Sequence, residues 1–516
     1  MSGRAAVSPG FRGVTGPAPA GATPPAGVRR VGIEALPALA LRVLRAALQP
    51  LPAGMADGTG LFIRYVHRKP GRGLTVTCAV GAPREPAAPG SARPAPPRWI
   101  TISIDEGALE GARIRFSAQD IQEVPPEGAV AGCVAIPSLG FAVQDFPSDR
   151  RLSSLAASLS TDLQDPLIGQ LELAARACLL DPAWHIRRAR AEPVRYKPGS
   201  RCVIRYELGL EKRSVNGAFR RELSLFGKVH GDPQRALAVH AAAEQLYAAH
   251  RQDGSHPIIP RPLGVAEALG LTLSEAISSD IPQEAPRTGL EVLRPRLRRG
   301  VGEPVARLHI PSGELRAVAL ALARLHTSGV SLPGPSRTAA KEALRAGERA
   351  ALIATHCPLV ADSPRRLARE LASRLHALRP EAYAPAHGGF KPSRLLFLGE
   401  RVCIVDLDGL CRADPALDVG YFLAYLRPSG LWYRRPAMRG WFAGAAATFL
   451  TAYRQAIIRR GIDDSTSYGI RKRARLYEAA TLFKIAARRA HRLNSPRPAE
   501  LEAILGEIRA CMHDAH

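Results

Sequence analysis

The chain has 516 residues, 46% of them hydrophobic, which is room for two or three domains with ordinary soluble cores. Its formal net charge is +25, carried by 63 Arg and only 8 Lys, yet no lysine–arginine block or aromatic-interleaved basic strip occurs, so a dedicated nucleic-acid module is not expected. The 8 cysteines are scattered without a C-x-x-C pair, which argues against a disulfide framework or a zinc site and for a reducing, cytoplasmic setting.

Residues 1–30 are rich in Ala, Gly and Pro and lack the apolar centre of a signal peptide, so a flexible tail is expected. Residues 31–150 read as an accessory α+β domain. Apolar spacing predicts a helix over 31–49, then two strands within 61–80 around Lys69-Pro70-Gly71-Arg72. A Pro- and Gly-rich linker, 81–97, precedes a hairpin over 99–116 that turns near 106–111. A helical region is expected from Phe146 to about Leu180. The stretches RYVHRKPGRGLTV (64–76) and RYKPGSRCVI (195–204) both place a K-P-G turn between apolar runs. Two readings stand: unrelated hairpins sharing common turn chemistry, or a degenerate first copy of whatever begins near residue 195.

That second stretch continues as strands 201–210 and 221–230, the latter carrying Lys228 in an otherwise apolar run. A helix over 233–250 follows, with Glu244 its single acidic residue. Strands near 261–265 and 271–277 lead to a connector at Ser278-Ser279-Asp280. Beyond it helices are predicted over 314–328, 338–355, 364–378, 438–460, 470–492 and 498–512. Within these, 441–458 is the most apolar, but Arg454 and other polar residues make it a buried helix rather than a membrane span.

Between 378 and 438 lies the most informative segment, HGGFKPSRLLFLGERVCIVDLDGLCRADPALD (387–418). Apolar runs 395–398 and 402–405 flank Gly399-Glu400 and predict a β-hairpin. A hairpin brings its open ends together, so the loop 387–394 and the carboxylates Asp406 and Asp408 must share one rim. Basic groups facing two carboxylates across a small gap suit phosphate and a divalent cation. Asp414-Pro415 then reads as a helix N-cap.

This layout resembles the active-site segment of the aminoglycoside phosphotransferase and choline kinase families: H-G-D-x-x-x-x-N, a hairpin, I-D-[FWL]-[DE], then G-D-P-x-x-D. His387-Gly388, the hairpin, Val405-Asp406-Leu407-Asp408 and Asp414-Pro415-Ala416-Leu417-Asp418 match in order and spacing. Ala323-Arg324-Leu325-His326 is similar to the family's A-x-L-H helix. Two positions depart: Gly389 stands for the catalytic aspartate and Arg394 for the metal-binding asparagine. The resemblance implies an α+β, protein-kinase-like fold, with a small lobe and its leading helices over 151–282 and a helical large lobe over 283–516. The first copy, 31–150, would then be a degenerate small lobe.

It further implies ATP and Mg²⁺ as cofactors. Lys228 would meet the α and β phosphates and pair with Glu244, and the turn from Lys197 to Arg201 would cover the phosphates. Asp406 would hold Mg²⁺ with Asp408 as a second ligand. His387 would pack beneath the loop, Asp414 would cap the helix and Asp418 would accept amides of the His387 loop. Lys391 and Arg394 add charge to the rim; they either hold a phosphate or block the metal. Two functions follow: an ATP-dependent phosphotransferase acting on a small hydroxylated molecule, or an inert nucleotide- or metabolite-binding pseudokinase that regulates a partner. Motifs of P-loop enzymes, zinc proteases and α/β-hydrolases are missing.

Overall fold

The computed structural model describes residues 61–69, 73–80, 99–105, 133–136, 141–215, 217–252, 256–277, 285–295, 308–332, 334–380, 382–428, 438–490 and 498–515. Its architecture is α+β. The described residues fall into two compact units: one runs to Arg84 and from Ile102 to Val143, the other comprises Glu85–Thr101 and Gln144–His516. The expected tail, the helix over 31–49, the linker 81–97 and the far half of the hairpin over 99–116 lie outside the described residues.

Strands β1 (Leu61–Lys69), β2 (Gly73–Val80), β3 (Trp99–Ile104), β4 (Cys133–Ile136) and β5 (Phe141–Asp145) form a sheet in the order β1-β2-β3-β5-β4. β1 and β2 pair antiparallel from Leu61↔Val80 to Lys69↔Gly73. Alternation puts Leu74, Val76 and Cys78, and likewise Ile100, Ile102 and Ile104, on one buried face of their strands.

The second unit opens with turns where a helical region was expected. Asp149 accepts the amides of Arg151 and Leu152 through its side chain, which turns the chain before a helix can form. Regular helix begins at α1 (Pro166–Leu179), where Asp165 accepts from the Leu167 amide at 2.9 Å and Pro166 takes the first position.

Strands β6 (His185–Lys197), β7 (Arg201–Ser214), β8 (Gly217–His230), β9 (Pro262–Ala266) and β10 (Leu271–Glu275) then form a sheet in the order β6-β7-β8-β10-β9, the same strand order as the first sheet. β7 buries Cys202, Ile204, Tyr206, Leu208 and Leu210 on one face. β7 and β8 run beyond their expected ends and stay paired to Ser214↔Gly217. Their outer ends lie largely at the surface and lack a buried apolar alternation, so the ladder, not apolar periodicity, holds them there. Helix α2 (Pro233–Gln252) lies between β8 and β9.

Past residue 284 the chain is mainly helical; the connector at 278–280 and the lobe boundary near 282 lie outside the described residues. β11 (Arg287–Thr288) leads into α3 (Gly289–Leu293), capped by a Thr288–Glu291 box. Helices α4 (Ser312–His326), α5 (Ala339–His356) and α6 (Asp362–Ala377) precede the strands β12 (Ala384–Ala386), β13 (Leu395–Leu398), β14 (Arg401–Ile404) and β15 (Cys411–Ala413). β13 and β14 are the expected hairpin, with β11 on its edge, and β12 pairs with β15.

Helices α7 (Ala416–Leu426), α8 (Met438–Ile458), α9 (Asp464–Ala490) and α10 (Pro498–His513) complete the lobe. Phe390, Phe422, Phe449 and Phe483 are fully buried in its core. α7 meets α9 at Gly420, where a Cβ would run into the Ala474 carbonyl and stand 2.6 Å from the Glu478 nitrogen; only glycine allows this approach. Among the described residues no helix is long and apolar enough to cross a membrane.

Candidate active site

Strand alternation sets the first half of the site. Val203 on β7 pairs with Lys228 on β8, and Arg201 lies two residues before Val203, so Arg201 and Lys228 project from one face of the sheet. The flanking β8 residues, Leu225, Gly227 and Val229, are buried on the opposite face. The turn that starts β7 is fastened from outside the hairpin: Asp149 accepts from the Tyr196 hydroxyl and the Gly199 amide, each at 2.7 Å. Gly199 supplies the positive φ of 61° that this turn uses.

The β13–β14 hairpin sets the second half. It puts the 387–394 loop beside Asp406, whose φ of 66° is an uncommon left-handed conformation for a non-glycine residue. The loop itself is built from below. His387 is buried, its ring Nε2 lies 3.2 Å from the Val405 carbonyl, and its amide donates to Asp418 Oδ2 at 2.6 Å. Phe390 N donates to the other Asp418 oxygen at 3.4 Å. Asp414 accepts the Ala416 amide at 3.0 Å and also pairs with Arg473 at 2.8 Å. Gly388, with φ 68°, packs so closely on the Gly409 carbonyl that no Cβ fits there, and Arg337 donates to its carbonyl oxygen.

The two halves meet through charge. Lys228 Nζ stands 2.6 Å from both Asp406 Oδ1 and Asp408 Oδ1. Arg201 reaches Asp406 at 3.0 Å and Asp408 at 3.1 Å, and Arg394 pairs with Asp406 as well. Arg235 on α2 donates to the Asp408 carbonyl. Burial lowers the Lys228 ammonium from 10.5 to about 8, with Arg201 and Arg394 adding to the effect against the pull of Asp408. Burial works to raise the Asp408 carboxyl, but Lys228, His230 and Arg201 outweigh it and hold it below the usual range. Burial, then the neighbouring Arg201, also brings Arg394 down to about 10.

This donor set does not fit a divalent cation. Mg²⁺ requires oxygen donors free to coordinate it. Here both carboxylates are already shared among Lys228, Arg201 and Arg394. The position where the resemblance implies an asparagine oxygen carries the Arg394 guanidinium, a donor-only group. As arranged, Asp406 and Asp408 are anchors for protein cations rather than open ligands.

Glu244 also departs from expectation. It is exposed, lies 3.3 Å from His240 one turn earlier on α2, and does not face Lys228. The lysine takes the large-lobe carboxylates as its partners instead. Lys391 lies two residues past Gly389, its Nζ 5.0 Å from the centre of the Tyr425 ring. A Cβ at Gly389 would meet nothing nearer than His387 Nδ1 at 3.8 Å, so close packing does not by itself require glycine there. Sequence reasoning missed Asp149, Arg235, Arg337 and Arg473. Each acts through a partner far away in the chain, and none sits in a local pattern that marks it.

Residues 219–462 match the model of the phosphotransferase enzyme family. No curated protein matches the chain. Among solved structures the chain is similar to a choline/ethanolamine kinase family protein from Mesorhizobium loti (17% identity, 67% of this chain and 93% of that one, TM-score 0.37). It is also similar to a choline kinase from Streptococcus pneumoniae (13%, 67% and 99%, TM-score 0.37). A third is described as an aminoglycoside phosphotransferase from Ralstonia eutropha JMP134 (14%, 69% and 98%, TM-score 0.38). Over residues 219–462 the chain is thus similar to the phosphotransferase enzyme family, with glycine and arginine at the two catalytic-loop positions where aspartate and asparagine are expected.

Proposed function

We propose that the chain binds ATP between the β6–β10 sheet and the helical lobe and transfers its γ-phosphoryl group to a hydroxyl of a small molecule. The observation that carries this reading is the meeting of Lys228 with Asp406 and Asp408 at 2.6 Å, which places a small-lobe cation and large-lobe carboxylates at one point. Phosphoryl transfer is governed by positioning and charge stabilisation more than by proton removal. Lys228, Arg201 and Arg394 together supply positive charge to phosphate oxygens in place of a metal. Displacing Asp406 and Asp408 from these cations as phosphates enter is a cost that the phosphate contacts must exceed. The acceptor oxygen attacks the γ-phosphorus, the bond to the bridging oxygen of ADP breaks, and the hydroxyl proton leaves to solvent, since Gly389 offers no group to take it.

A second reading, an inert nucleotide-binding pseudokinase, is favoured by Arg394 lying on Asp406 and by Gly389. The same strand order in the two five-stranded sheets supports reading residues 31–150 as a degenerate small-lobe copy; its β3, WITISI, has no counterpart of Lys228. Calorimetry with ATP, followed by phosphate-transfer assays against a library of small hydroxylated metabolites, tests the proposal. ATP binding with transfer that falls in Arg394→Ala supports the enzyme. ATP binding without transfer to any acceptor supports the pseudokinase, and no ATP binding refutes the enzyme and leaves only an inert metabolite-binding relative.

A further inference from the structure

Beyond the carboxylate pair lies a second group of basic side chains on the helical lobe. On α9, Lys484 and Arg488 are one turn apart and share a face; on α7, Tyr421 and Tyr425 do the same. The two faces meet: Lys484 Nζ donates to the Tyr421 hydroxyl at 2.6 Å and Arg488 to the Tyr425 hydroxyl at 3.1 Å. Lys391, from the loop at residues 387–394, comes down on the same tyrosine pair, which is stacked with centroids 5.0 Å apart. Neither lysine has a carboxylate partner among the described residues.

Surface lysines escape such a situation into water, but both of these are largely buried. Burial, followed by Arg394, Arg488 and Arg195, brings Lys391 down to about 7. For Lys484 burial, followed by Arg488 and Arg349, brings it to about 6. A fold gains nothing by gathering buried like charges; replacing them with apolar groups would relieve both desolvation and repulsion. The arrangement is reasonable where an anion completes it. Aromatic rings and a tyrosine hydroxyl hold the amino groups in place without supplying a counter-charge, so an arriving anion favours their protonated form and completes the site.

We propose that Lys391, Lys484 and Arg488 form a site for an anionic group, phosphate or carboxylate, on the molecule that accepts the phosphoryl group. The proposal rests on the phosphotransferase reading in naming the occupant as the acceptor. The site adjoins the catalytic loop through Lys391 but stands on α7 and α9, apart from the sheet that carries Lys228. An acidic acceptor follows, since an anion gains from Arg488 and from protonation of the two lysines, whereas a cation meets only repulsion from Arg488.

The test is a calorimetric titration of inorganic phosphate into the full chain, first free and then saturated with the non-hydrolysable triphosphate AMP-PNP. Phosphate should bind in both states. Lys484→Gln and Arg488→Gln should each weaken it about tenfold or more, the loss of one charge-assisted hydrogen bond, with AMP-PNP affinity changed less than about twofold. Arg488 is exposed, so its variant decides the matter even if Lys484→Gln fails to fold. Unchanged phosphate affinity in Arg488→Gln overturns the proposal. So does phosphate binding that AMP-PNP abolishes, because the cations would then serve the nucleotide. If AMP-PNP does not bind at all, the phosphotransferase reading falls, while the titration of the free chain still decides whether the anion site exists.

Discussion

Replacing Lys228 with methionine distinguishes a lysine that holds the fold from one retained for a ligand. The side chain is 15% exposed and reaches both Asp406 and Asp408 at 2.6 Å, so simple inspection of contacts assigns it a large structural role. Removing one partner of a buried ion pair usually costs about 3–5 kcal/mol, because a charge is left uncompensated. Here nothing is left bare: Asp406 keeps Arg201 and Arg394, and Asp408 keeps Arg201 at 3.1 Å. The ammonium is itself held down from 10.5 to about 8, so keeping it charged costs about 3 kcal/mol relative to water even with both carboxylates present. Lys228→Met should therefore leave unfolding free energy within about 1 kcal/mol of wild type or raise it, measured by urea denaturation at pH 7. ATP affinity should fall about tenfold or more, the loss of at least one charge-assisted hydrogen bond. Between pH 8 and 10.5 the folded chain holds fewer protons at this position than the unfolded chain, so the lysine makes stability rise with pH across that window, and the mutant should show a shallower rise. Destabilisation by about 3 kcal/mol or more with unaltered ATP affinity would refute the reasoning.

Arg394→Asn removes one of the three cations on Asp406 and restores an oxygen donor, so ATP binding, which should be insensitive to Mg²⁺ in wild type, should become Mg²⁺-dependent; titration with and without EDTA checks this. Gly420→Ala pushes α7 off the α9 backbone, where the added Cβ would stand 2.6 Å from Glu478 N, and should cost about 1–3 kcal/mol by overpacking, read as a lowered urea midpoint.

Local chemistry written into the chain was readable wherever it acts over a few residues. The turn at Gly399-Glu400 and its flanking apolar runs produce the β13–β14 hairpin, and a hairpin can only bring the 387–394 loop and Asp406 to one rim. Apolar periodicity likewise located α2, α4, α5 and α6 within a few residues of their ends. It lost the last four residues of β7 and the first four of β8, which lack an apolar alternation and exist because each strand satisfies the other's backbone groups.

What the tertiary structure decided is which charges meet. Glu244 looked like the partner of Lys228 because it is the single acid on the following helix, yet a helix offers several outward directions, and packing turned this one towards His240 and solvent. Asp149 fastens the turn at Gly199 from 50 residues away, and Lys391 shares the Tyr421–Tyr425 pair with Lys484 although the two lysines are far apart in sequence. The sequence determined the residue types and the local turns that carry them; the closing of sheet on helices determined their partners, because charges interact through space and not along the chain.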